Sequence, residues 1–326
     1  MPKKSPMNEE LNKLFGSLEY HKFRDMKEIL DKYDLPDNYQ NNEDNNKSFI
    51  YEKFSLENKF PFIGQRAVLG FDLIGYSKQE RDIQNTSPFL ISLLLDLTYE
   101  SLLNYEKNIF YMFTKRIIEN GFIPAGDGGF QILPNPLYAI VFALHFEMNL
   151  RSLNAGRIYP KLSEFMGEQK FRYSLSFGDV FRFNRNFFGS ALIRSSRILA
   201  TDRLNRFLMD EMSYKYFLKE FNGIETLSLL NKEMLYKAKS FQKLRDNMYN
   251  NKESLVIRDV SEKLPGIDPI IIQDIGEIET KSEMYKVYNF FCQFSFDHYE
   301  ENSIEPKKNY NQIRVSLGNL NPQGLV

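Results

Sequence analysis

The spacing of hydrophobic positions changes several times along the chain, and each change marks an element. In residues 8–33, "NEELNKLFGSLEYHKFRDMKEILDKY", Leu11, Leu14, Phe15 and Leu18, then Met26, Ile29 and Leu30, recur at helical spacing. Pro36 and the Asn- and Asp-rich run that follows it predict a linker. Residues 1–48 therefore read as a helical extension on a tether. "QRAVLGFDLIGYS" is an apolar run that ends in Gly and Ser and predicts a buried strand. Ser87-Pro88 predicts a helix start, with Pro at the first position, running through "FLISLLLDLTYESLLNY". A second helical pattern follows in "NIFYMFTKRIIEN". "ENGFIPAGDGGFQIL" reads as strand, tight turn, strand, with Asp127 at the tip. Asn135-Pro136 opens a further helix, and residues 154–170 read as a polar loop insertion.

"FRYSLSFGDVFRF" alternates as a strand does, with Tyr173, Leu175 and Phe177 on one side. "GSALIRSSRILATD" predicts a helix, and residues 203–250 a largely helical insertion. "SLVIRDV", "PIIIQDI" and "EMYKVYNFF" read as late strands. The polar tail, 300–326, is expected to be ordered only in part. This order predicts an α/β sandwich over residues 60–295, a mainly antiparallel sheet with helices packed on one face.

Composition narrows the classes. The chain has 326 residues with 42% hydrophobic content, enough for a substantial core. Lys plus Arg total 42 against 43 Asp plus Glu, a net charge of −1. No global basic field favours a nucleic-acid partner. The single cysteine, Cys292, excludes an internal disulfide and a Cys-cluster zinc site. It reads as a buried small hydrophobe in a reducing compartment. The N-terminus lacks an apolar signal core, and the longest apolar run, "FLISLLLDL", falls far short of the ~20 residues that span a bilayer. A cytoplasmic protein with no membrane partner is expected.

Two carboxylates stand out. Asp72 ends an apolar run in "GFDLIGYS", where a buried charge is costly unless paired or metal-bound. Asp127 lies among glycines in "PAGDGGF"; alone, that is a turn with an incidental acid. Brought together, the two strand-end carboxylates would offer oxygen ligands to Mg²⁺ or Mn²⁺, ions held by one or two carboxylates plus substrate phosphates. His145, on an apolar helical pattern, reads as a satisfied core histidine.

In order and spacing, "GFDLIGYS", "PAGDGGF" and "FGDVF…FFGSALIRSSRIL" resemble the class III nucleotidyl cyclase catalytic domain. The resemblance spans roughly residues 62–200, with a weaker echo near 265–290. It implies a ferredoxin-like α/β fold and two divalent cations, Mn²⁺ or Mg²⁺. These would be held by Asp72, the backbone carbonyl of Leu73, and Asp127. It implies a nucleoside triphosphate substrate, with Arg197 stabilising charge on the transferred phosphoryl and Lys281 binding the polyphosphate. The nucleotide would lie against Phe71, Ile123, Asn186, Arg194 and Arg197. A homodimer is implied, with the carboxylates from one chain and Arg197 and Lys281 from the other.

The departures bear on the base. Ile123 stands where purine cyclases place a base-reading Lys or Glu, and Asn186 occupies the second base-reading position. Ile193 replaces a ribose-orienting Asn. Arg194, three residues before Arg197 on one helical face, is expected to supply a substitute contact. Both carboxylates are kept while the purine readers are gone. That pattern resembles the bacterial anti-phage pyrimidine cyclases, which make cyclic UMP or cyclic CMP. Cyclic UMP is the expectation here; a cytidylate or purine product and an inactive nucleotide-binding scaffold are the alternatives.

Overall fold

A computed structural model describes residues 64–107, 109–183, 186–202, 204–220, 229–230, 267–279, 284–298, 311–321 and 323. The N-terminal extension, Lys281, "SLVIRDV" and most of the 203–250 insertion lie outside the described residues.

The apolar run at "AVLGFDL" becomes strand β1 (Gly64–Leu73), buried on both faces. It is flanked by β3 (Gly128–Leu133) and β4 (Phe171–Phe183), both antiparallel to it. β2 (Phe122–Ala125) forms the hairpin with β3, as the Gly-rich turn predicted. Beyond β4 come β6 (Phe207–Asp210), β9 (Met284–His298), β8 (Ile267–Glu279) and β7 (Leu229–Leu230). β5 (Asn186–Phe188) pairs with β4, and β10 (Asn311–Leu317) with β9. Among the described residues only the β4–β6 pairing is parallel. The fold is therefore the expected mixed α/β one, with a mainly antiparallel sheet.

Six α-helices are described: α1 (Arg81–Tyr105), α2 (Lys115–Glu119), α3 (Pro136–Asn154), α4 (Pro160–Met166), α5 (Ser190–Thr201) and α6 (Glu211–Glu220). α3 starts where the sequence placed it. Asn135 caps it, its Oδ1 accepting from the N–H groups of Leu137 (3.0 Å) and Tyr138 (3.3 Å), with Pro136 at the first position. α1 starts seven residues before Pro88 and carries that proline inside the helix. Proline cannot donate to the carbonyl four residues back, that of Gln84. The Tyr76 hydroxyl donates to this carbonyl instead, at 3.4 Å. Only Lys115–Glu119 of the second helical pattern is helical, and the expected loop at 154–170 contains α4.

Alternation along β1 sorts two layers. Ala67, Leu69, Phe71 and Leu73 enter the main core with Leu90 and Leu94 of α1 and Phe142 and Phe146 of α3. Each fully buried large apolar side chain there contributes roughly 1.5–3 kcal/mol. The opposite face carries α5. A Cβ on Gly70 would stand 2.5 Å from Ser174 Oγ and 2.8 Å from Leu199 Cδ1, so the helix approaches the sheet this closely only over a glycine. Helices thus cover both faces, not one. Each neighbouring strand presents a second apolar face, and α5 buries it.

Residues 311–317 form β10, and the segment after it folds back onto the turn before β6. Cys292 is buried on β9, and burial pushes its thiol up. His145 is a core histidine as expected, but only half satisfied: Nε2 lies 3.0 Å from Glu106 Oε1, while buried Nδ1 has no hydrogen-bond partner. Among the described residues, no helix is long and apolar enough to cross a membrane.

Candidate active site

Pairing of β1 with β3 puts Asp72 opposite Gly128, one residue from Asp127 at the tip of the β2–β3 hairpin. The Leu73 N–H donates to the Asp127 carbonyl at 3.0 Å, tying the tip to the strand end. Two glycines make this possible. Gly126 takes a positive φ of 64° at the turn. A Cβ on Gly128 would stand 2.0 Å from the Phe71 carbonyl oxygen, so only glycine lets the hairpin close on β1. The carboxylates are thereby neighbours. Burial raises the Asp127 pKa, and the negative charge of the neighbouring Asp72 raises it further. Asp127's own backbone N–H and the Arg172 guanidinium work against this rise.

Arg172 is the residue that sequence reasoning missed. It sits directly across from Asp72 in the β1–β4 register. Its Nε and Nη2 donate to Asp72 Oδ2 at 3.0 and 2.5 Å, a fork grip on one oxygen. Its Nη1 donates to the Asp202 carbonyl, just past the end of α5. The available signal was an Arg at an alternate position of a strand, and nothing in the chain says which residue lies across from it.

The other carboxylate oxygen, Asp72 Oδ1, is buried and has no hydrogen-bond partner. An unpartnered buried carboxylate oxygen is costly, and a hard cation satisfies it. Asp72 and Asp127 are oxygen donors of the type Mg²⁺ and Mn²⁺ prefer, so the residues fit such an ion. Among the described residues no cluster of three or more His, Cys, Asp or Glu forms a cage. Two carboxylates are what a site completed by substrate phosphates needs.

The remaining expected residues divide. Leu73 follows Asp72 with its side chain in the core, leaving only its backbone for the site. Phe71 faces away from any nucleotide on the Asp72 side. Its ring lies in the core, 4.9 Å from Phe146 and 5.9 Å from Phe122, because strand neighbours point to opposite faces. Arg194 is not open to a substrate. Its Nε donates to buried Asp210 at 2.8 Å and its Nη2 to the Phe177 carbonyl at 3.0 Å. Phe177 pairs with Ala67, five residues before Asp72 on β1 and so roughly 17 Å away along the strand. Burial pushes the Asp210 carboxyl up, and Arg194 and Ser213 offset part of that.

Arg197 lies half-buried on α5, and its guanidinium has no hydrogen-bond or ion-pair partner among the described residues. Ile193, on the same helix, is 53% exposed. Ile123 packs with Val68, Ile132, Val180, Phe187 and Ala191 in a second apolar cluster, on the α5 face of the sheet. Asn186 is exposed at its edge, its Oδ1 accepting from the Phe187 N–H at 2.9 Å.

No family model and no curated protein matches the chain. Among solved structures, it is similar to an adenylate/guanylate cyclase/hydrolase from Silicibacter pomeroyi, at 14% identity over 70% of this chain and 97% of that one, with a TM-score of 0.40. It is similar to the adenylyl cyclase CyaB from P. aeruginosa, at 11% identity over 70% and 95% of the two chains, with a TM-score of 0.36. A guanylate cyclase domain from Catenaria anguillulae, solved in complex with GTP, has 11% identity over 69% and 95%, with a TM-score of 0.39.

Proposed function

We propose that the chain is a nucleotidyl cyclase that turns a nucleoside triphosphate, UTP first, into a 3′,5′-cyclic nucleotide and diphosphate. The observation that carries this reading is the meeting of Asp72 and Asp127, with Asp72 Oδ1 buried and unpartnered. Divalent cations bound there would make the ribose 3′-hydroxyl a better nucleophile and neutralise the triphosphate. The 3′-hydroxyl gives up its proton to solvent as its oxygen forms a bond to the α-phosphorus, and the bond from that phosphorus to the diphosphate oxygen breaks. Arg172, beside Asp72, is placed to meet polyphosphate charge from its own chain. Arg197, without a partner among the described residues, would meet the developing charge from a second copy, and Lys281 of that copy would bind the polyphosphate.

The pyrimidine preference rests on the apolar cluster. Ile123 and Phe187 bring hydrocarbon where reading a purine edge needs donors and acceptors. With Asn186 Oδ1 accepting from Phe187 N–H, its amide NH₂ is left to donate. Uracil presents the O4 acceptor at the position where cytosine presents an amino donor, so this amide suits uracil. As a cyclic pyrimidine nucleotide, the product would serve as a diffusible second messenger in antiviral defence, the role implied by the resemblance.

The test is incubation with Mn²⁺ and each of the four ribonucleoside triphosphates, with products identified by mass spectrometry. Cyclic UMP is expected. Cyclic AMP or GMP would overturn the pyrimidine assignment, and no cyclic product from any of them would leave a nucleotide-binding scaffold.

A further inference from the structure

The segment after β10 leads, contact by contact, to Asp72. Asn319 Nδ2 donates to the carbonyls of Leu204 and Asn205, each at 2.8 Å, and the Asn319 carbonyl accepts from Asn289 Nδ2 at 2.8 Å. Asn319 Oδ1 accepts from the Asn321 N–H, and Asn321 Oδ1 from the Gln323 N–H, each at 3.0 Å, so the segment is a string of Asn-closed turns. It ends on Arg206, whose Nη1 donates to the Gln323 carbonyl and, at 3.5 Å, to that of Asn321. Arg206 is 1% exposed. A guanidinium so buried is stable only with its partners in place.

Its other partner is Asp202. Arg206 Nε donates to Asp202 Oδ1 at 3.0 Å, and the backbone N–H of Arg206 to Asp202 Oδ2 at 2.8 Å. With Leu204 N–H also donating to Oδ1, at 3.3 Å, the Asp202 side chain fixes the turn between α5 and β6. The Asp202 backbone carbonyl is what Arg172 Nη1 donates to, while Nε and Nη2 of Arg172 grip Asp72. Arg172 is thus held at one end by the carboxylate and at the other by a turn that the tail braces.

We infer that Asn319, Asn321 and Gln323 form a strap that completes the candidate site, and that Arg206 and Asp202 are positioning residues for Arg172. This rests on the proposed function for its catalytic consequence but not for its structural one. When Asp72 turns to a cation and substrate, the Asp202 carbonyl keeps Arg172 aimed at the polyphosphate. Without the strap Arg172 loses that anchor, while Asp72 and Asp127 keep their hairpin geometry. The consequence belongs to substrate affinity, not to cation binding.

Two variants test it: a chain ending at Gly318, and the full chain carrying Asn319→Ala, which keeps the strap but frees it from the turn. The first readout needs no activity. In ¹⁵N-arginine spectra, the Nη1–H of Arg172, which donates to the Asp202 carbonyl and is assigned through Arg172→Lys, is expected to exchange with water at least tenfold faster in both variants. The second readout is kinetic. KM for the nucleoside triphosphate is expected to rise about tenfold with kcat changed less than threefold, and Mn²⁺ binding without nucleotide is expected to be retained. A strap that only stabilises the fold would lower the active fraction, and so kcat, with KM unchanged; that result overturns the inference. Unchanged Arg172 exchange in Asn319→Ala overturns it as well, even if the shortened chain fails to fold. If the intact protein turns over no nucleotide, the proposed function falls, and the exchange measurement still decides the strap.

Discussion

Replacing Asp127 with Asn removes one of two like charges that the hairpin presses together, so it separates stability from function. Two unit charges about 4–5 Å apart repel by roughly 3–4 kcal/mol at an effective dielectric constant of 20. Asp127 is partly exposed and Arg172 sits close by, so solvent and counter-charge reduce the net effect to about 0.5–1 kcal/mol. Asp127→Asn should therefore stabilise the metal-free protein by that amount, raising its melting midpoint by about 1–4 °C. The sign with pH follows from the raised pKa. The folded state holds the Asp127 proton more tightly than the unfolded chain does. The penalty is absent below the ordinary carboxylate range and develops as pH rises through the raised folded value. The gain from Asn should therefore be full at neutral pH and vanish in acid. Mn²⁺ reverses the ranking. At about one hundred times its dissociation constant it adds about 2.7 kcal/mol to the native chain, roughly 5–11 °C, and this shift should be lost in Asp127→Asn. Thermal melts at acid and neutral pH, with and without Mn²⁺, measure all four quantities. A lower metal-free midpoint in Asp127→Asn at neutral pH, or a Mn²⁺ shift that survives the substitution, would refute the reasoning.

Gly128→Ala should cost about 1–3 kcal/mol and abolish the Mn²⁺ shift, because its methyl meets the Phe71 carbonyl and forces the hairpin off β1; melts with and without the ion read both. Asp210→Ala should cost about 3–5 kcal/mol by urea titration, since Arg194 is left buried without its carboxylate, and adding Arg194→Met should recover most of it. Mixing an Asp72→Ala chain with an Arg197→Ala chain should restore cyclase activity through one intact site per heterodimer. Activity no greater than that of the separate chains would count against a site shared between copies.

Much of the hairpin and its carboxylate was legible in the chain. The glycines around Asp127, the apolar run into Asp72 and the Asn135-Pro136 helix start are local signals, and local backbone preference set all three. Where an element was misjudged, a distant group had intervened. Pro88 reads as a helix start until the Tyr76 hydroxyl takes the carbonyl it leaves free. That residues 311–317 of the polar tail form a strand follows from pairing with β9, a segment its own composition does not reveal.

By itself, the sequence determined which residues are candidates for chemistry and which backbone each needs: an acid at a strand end, another on a glycine turn, an arginine on an amphipathic helix. Only the tertiary structure decided which of these meet. Arg194 and Arg197 are equivalent in helical spacing, yet one is closed off by Asp210 and the other has no partner among the described residues. Arg172 carries no mark of importance until the β1–β4 register sets it across from Asp72. The physical reason is that spacing fixes the direction of a side chain relative to its own backbone. Its partner is fixed by register and packing between segments far apart in the chain, and a shift of one residue would turn every such side chain to the other face.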